Sequence, residues 1–67
     1  MEVFVLMGEI FNEGSDLMGA YASLEDARIA QGVYTRDLRY ETYDRYYVIR
    51  QTVGAPAGFD LDVVAEL

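Results

Sequence analysis

Neither cysteine nor histidine occurs in these 67 residues; lysine is missing too, and there is a single proline. Without thiols there can be no disulfide, and without imidazole or thiolate the ordinary structural zinc sites are excluded. Small chains lean on such supports, because a domain of this size buries only about 60% of its unfolded surface. Packing alone must hold this one. The same absences remove the serine and cysteine triads and the imidazole general base. Acid–base work would fall to carboxylates or tyrosines, and with twelve acids some pair always lies within reach, so such a match means little. Glycoside chemistry needs two carboxylates flanking a cleft, which a chain this short rarely encloses. The expectation is a non-enzyme with no cofactor and no metal.

Missing cysteine leaves the redox compartment open. No apolar run approaches the roughly 18 residues of a membrane span, and Glu2 follows Met1 where a secretory signal would be basic. A single soluble cytoplasmic domain is expected.

What is abundant is apolar surface, 52% of residues, and negative charge. The formal net charge is −7. Residues 1–27 hold six acids and no base, and residues 51–67 hold three acids and no base. All five cations, Arg28, Arg36, Arg39, Arg45 and Arg50, lie between them. Such a chain repels phosphate backbones, so nucleic acid is a disfavoured partner. The acidity either keeps a sticky small protein soluble or aims an acidic face at a basic partner. The apolar surplus reads as a core plus at least one surface patch, suited to self-association. Arginine without lysine points weakly to a GC-rich genome.

Periodicity supplies the elements. Residues 2–11 read as a strand with Val3, Val5 and Met7 on one face and Phe4, Leu6 and Ile10 on the other. Both faces are apolar, as in a central strand covered on both sides. Gly8 marks a bulge or a close backbone approach. Asn12-Glu13-Gly14-Ser15 is a turn, and a second strand follows over about 16–22, where Gly19 weakens the strand or admits an aromatic ring.

Ser23-Leu24-Glu25-Asp26 is a helix-capping pattern, with acids placed where the helix dipole favours them. A helix should run from Leu24 to about Arg36, with Leu24, Ala27, Gln31, Tyr34 and Leu38 facing the sheet and Ala30 beside them. Ile29 and Val33, four apart on a different side, are either the flank of a wide buried face, the favoured reading, or exposed. A loop follows, then a third strand over 43–53 with Tyr47, Ile49 and Arg45 on one face and Tyr46, Val48 and Arg50 on the other. Pro56 ends it.

The expected fold is therefore α+β: ββαβ over residues 1–54, with a three-stranded antiparallel sheet of order 2-1-3 and one helix on one face. Residues 55–67 form a tail, with Asp60 as the cap of a short helical turn. The second sheet face is left for the tail, a second copy or a partner.

Three groups of residues are candidates for function. Glu9, Glu13 and Asp16 gather around the first hairpin, at a spacing that does not fit an EF-hand loop. Tyr43, Tyr46 and Tyr47 belong to a set of six tyrosines. Beside arginines, tyrosines stack nucleobases, form protein–protein hot spots, or simply bury a ring and leave the hydroxyl wet. Phe59 completes the candidate partner-binding set.

Val3-Phe4-Val5-Leu6, then Gly19-Ala20-Tyr21-Ala22-Ser23 with the downstream Glu25-Asp26-Ala27, then Tyr46-Tyr47-Val48-Ile49 resembles a family of small bacterial and phage-borne domains of unknown function. The resemblance covers about residues 3–53. Members often carry an acidic or histidine-containing turn after the first strand; Met7-Gly8-Glu9 keeps the acid and lacks the histidine. The resemblance implies the hairpin–helix–strand fold and a phage or mobile-element setting, and brings no catalytic residues. The small size, the acid-only ends, the Tyr-rich third strand and the lack of catalytic groups give the functional expectation: a protein-binding module, a phage-encoded modulator or inhibitor of a host protein, which by nucleic-acid mimicry could use an acidic face. The alternatives are a homodimeric accessory protein or a weak single-strand nucleic-acid binder.

Overall fold

In the computed structural model, residues 1–37, 39, 42–56 and 62–67 are described. β1 (Glu2–Ile10) and β2 (Gly14–Tyr21) form an antiparallel hairpin, α1 (Leu24–Arg36) follows, and β3 (Arg45–Thr52) returns antiparallel to β1. The hairpin turn needs two left-handed residues: Asn12 at φ 69° and Gly14 at φ 98°. Asparagine and glycine are the residues that adopt this region at least cost.

The tail departs from expectation. β4 (Val63–Glu66) pairs antiparallel with β3, so the sheet has four strands in the order β2-β1-β3-β4 rather than three. Val63, Val64 and Ala65 bring apolar surface to the sheet edge, and the backbone groups of β3 give it a ladder to join. That satisfies more groups than a helical turn of the same length. The Asp60 cap and Phe59 lie outside the described residues.

The alternation read for β1 and β3 holds. Leu6 pairs with Val48, and among the described residues these two are the largest fully buried side chains. With Ala27 they form the core, against which Phe4, Met18, Tyr21, Leu24, Ala30, Tyr34, Val64, Ala65 and Leu67 pack. Ala27 and Ala30 let α1 lie close to the sheet. The register of β1 against β2 shifts between Leu6 and Met7, because Leu6 faces Gly19 and Met7 faces Leu17. Met18 is the extra residue, a β-bulge in the edge strand. It turns towards the core, and its carbonyl accepts a hydrogen bond from the Tyr34 hydroxyl at 3.1 Å.

α1 begins where its sequence says. The Ser23 hydroxyl accepts from the Asp26 N–H at 3.1 Å, Glu25 and Asp26 fill the first turn, and Arg36 sits in the last. Ile29 and Val33 are not the flank of a buried face: they are 58% and 49% exposed. A single helix laid on a twisted sheet touches it along one narrow stripe, and these two fall outside that stripe. Among the described residues no helix is long and apolar enough to cross a membrane.

Candidate functional site

The pleat sends Glu9 and Asp16 to opposite sides of the sheet. Glu9 pairs in register with Ser15, and Gly8 with Asp16. Asp16 thus shares the α1 side with Gly8 and Leu6, while Glu9 lies on the far side with Val5 and Met7. Each carboxylate is also engaged. Glu9 Oε1 accepts from Arg45 Nη1 at 3.1 Å, and Asp16 Oδ2 accepts from the Tyr43 hydroxyl at 2.8 Å. Glu13 is exposed in the hairpin turn. The three acids expected as a group do not form one face, and among the described residues no three acidic side chains come together as a metal site.

The tyrosines are split in the same way. Tyr43, just before β3, lays its ring over Gly8 and reaches β2 at Asp16. Tyr47 crosses on the other side and donates to Ser15 Oγ at 2.9 Å. Two rings therefore strap the central strand at the same end, one on each side, and land on adjacent residues of β2. Tyr46, buried, meets Tyr43 edge-on with centroids 5.8 Å apart. The two arginines of β3 are similarly committed. Arg45 stacks on Tyr47, 4.5 Å from the ring centroid, and joins Glu9 of β1 to Glu66 of β4. Arg50 joins Asp62 at 2.7 Å and Glu2 at 3.8 Å. The Glu9 hydrogen bond raises Arg45 above the ordinary arginine range; desolvation opposes it in part, and Glu66 adds smaller contributions in the same direction as Glu9. The Asp62 hydrogen bond does the same for Arg50.

What remains open among the described residues is the sheet side away from α1. Val3, Val5 and Met7 of β1, Leu17 and Ala20 of β2, Tyr47 and Ile49 of β3 and Val63 of β4 share it. Among the described residues no element packs on this side. Its centre is shielded by its own side chains, with Val5 and Tyr47 buried, while Leu17 is 68% and Val63 41% exposed. Its charged groups, Glu9, Arg45 and Glu66, are bound to one another at one end. Leu17 and Val63 escape sequence reading as site residues because each belongs to an edge strand whose register is set by a bulge. The signal that does exist is β1, apolar on both faces. Phe59 lies outside the described residues. Comparison of the chain with models of known families, with curated proteins and with solved structures returns no match.

Proposed function

We propose that this chain is a protein-binding module whose working surface is the sheet side opposite α1. The observation that carries the reading is the apolar strip running across all four strands there, exposed at Leu17 and Val63 and with its charges tied together at one end. Folded proteins seldom leave an apolar patch of this kind without a use. Of the net charge of −7, the groups Glu9, Arg45 and Glu66 at the end of the strip account for −1. Modulation of a larger host protein fits a small domain that acts through its outer surface, in the phage or mobile-element setting the resemblance implies. The acidic-mimic form of that role has less support, because Glu9 and Asp16 point apart and are both engaged. Base stacking has less support for a similar reason: Tyr43, Tyr46, Tyr47 and Arg45 satisfy one another.

The test is capture of a partner from host lysate by the wild-type chain, by Leu17→Lys/Val63→Lys, and by Glu13→Lys. Loss of the captured protein with the first variant and retention with the second is expected. Retention by the sheet variant with loss at Glu13 would move the site to the hairpin turn. Absence of any partner at both low and physiological salt would count against a binding role.

A further inference from the structure

The outward side of α1 carries a pattern that complements itself. At 100° per residue, Leu24, Ala27, Ala30 and Tyr34 point to the core, and Glu25, Ile29, Gly32 and Arg36 share a narrow arc on the opposite side. Ile29 stands out from this arc, 58% exposed, with Val33 beside it at 49%. Gly32 leaves a notch: a Cβ there would meet only the Arg36 guanidinium, at 3.6 Å. Among the described residues neither Glu25 nor Arg36 takes part in an ion pair. Along the helix the order is acid, apolar knob, notch, base. The pairs Glu25/Arg36 and Ile29/Gly32 are both centred on the same point, between Ala30 and Gln31.

We propose that two copies of this chain pair through α1, antiparallel about a two-fold axis at that point. Antiparallel overlap then sets Glu25 against the partner's Arg36 and seats Ile29 in the notch at the partner's Gly32, each contact occurring twice, as an isologous interface requires. The glycine permits a close approach, near the lower end of the usual 8–10 Å between helix axes. Arg36, which lies back over Gly32 in the single copy, swings out to the acid and clears the notch. One helix pair of this length falls below the roughly 1,200 Å² of a stable specific interface, so the association is weak and concentration-dependent. The pairing leaves the opposite sheet side free and does not depend on the binding role proposed for it.

Sedimentation equilibrium of the full chain, up to about millimolar concentration, tests the pairing. The wild type should associate, and Arg36→Glu should weaken association by about tenfold or more, since it places like charges together. Glu25→Arg/Arg36→Glu should restore it to within about threefold of the wild type. Each change alone opposes the helix dipole, so recovery in the double variant cannot come from a better helix. Gly32→Gln supplies a second reading that does not endanger the fold. Removing a mid-helix glycine raises helix propensity, yet filling the notch should cost association. A strictly monomeric wild type overturns the proposal. So does a dimer that survives Arg36→Glu and Gly32→Gln but dissociates with Leu17→Lys, because the copies would then meet through the sheet.

Discussion

The ring of Tyr43 occupies the space a side chain at Gly8 would need: a Cβ built on Gly8 would lie 2.6 Å from Tyr43 Cγ. The obstruction is the root of the ring, held at its far end by the hydrogen bond to Asp16, so it cannot swing aside. Gly8→Ala should therefore destabilise the chain by about 1–3 kcal/mol, the usual range for overpacking. The loss should shrink when Tyr43→Ala is added, because the two residues are coupled. At Gly19 the nearest atom is the hydroxyl tip of Tyr21, at 2.7 Å, and a tip moves more easily than a root. Gly19→Ala should cost less than Gly8→Ala. Chemical denaturation of the two single variants and the double variant checks all three statements, and additivity at positions 8 and 43 would be the adverse result.

Ser23 supplies the only side-chain cap of the only helix among the described residues, accepting from Asp26 N–H at 3.1 Å. Ser23→Ala should lower stability by about 1 kcal/mol, within the 0.5–2 kcal/mol found for such caps. Ser23→Asp should recover most of it, as aspartate accepts the same hydrogen bond. Thermal melts followed by circular dichroism separate these outcomes. Equal melting of the serine and alanine forms would mean that packing against Leu6 and Val48 alone sets the helix start.

That helix was the most legible part of the chain, because cap, first-turn acids and three-four spacing are all local. The faces of β1 and β3 were legible for a related reason. A period of two needs no knowledge of the partner strand, and Tyr46 and Tyr47 part company on it directly. β4 was not legible. Val63, Val64 and Ala65 show no alternation, and their strand identity comes from β3, to which they pair. The bulge at Met18 is flanked by Gly19, but a strand glycine marks a bulge or a close neighbour alike, and only the pairing shows the bulge that turns Leu17 to the open side. Glu9 and Asp16 are close in sequence but are parted by the pleat and the pairing register, so their apparent grouping dissolved. Gly8 signalled that something came near; only the fold could say it was Tyr43.

Asp37 links charge to pH. The Arg39 guanidinium, and then the Arg39 backbone N–H, hold its carboxyl below the ordinary aspartate value, against a smaller opposing effect of desolvation. A carboxyl depressed in the folded state contributes stability above the unfolded value near 3.9. That contribution is lost as pH falls through the lower folded value. Arg39→Gln removes the side-chain bonds and keeps the backbone one, so the Asp37 carboxyl should move part of the way back up. Carbon-detected NMR titration of the side-chain carboxyl reads this directly. An unchanged midpoint in Arg39→Gln would remove the guanidinium as the cause.

β4 is four residues long and lies at the sheet edge, and two arginines of β3 hold the ends of that segment. Arg45 Nη2 reaches Glu66 at 2.5 Å, and Arg50 Nη2 reaches Asp62 at 2.7 Å. Beside them run the backbone bonds from Leu67 N–H to the Tyr46 carbonyl and from Arg50 N–H to the Asp62 carbonyl, both 2.9 Å. A short edge strand with so few ladder bonds opens before the central strands do. Arg45→Gln/Arg50→Gln should therefore speed hydrogen exchange at Leu67 and at the position-50 amide several-fold relative to their intrinsic rates, while amides in the middle of β1 change little. Both guanidinium groups are raised above the ordinary arginine range. Arginine stays charged and carboxylates stay ionised between about pH 6 and pH 8, and the wild-type protection should not vary for electrostatic reasons across that window. Salt should act instead: near 1 M the screening length falls to about 3 Å, and the exposed pairs lose most of their hold. The wild type in high salt should then approach the exchange pattern of the double variant at low salt. Equal protection of Leu67 in both proteins at low salt would show that backbone pairing and the packing of Val64 and Ala65 on the core are enough to keep β4 in place.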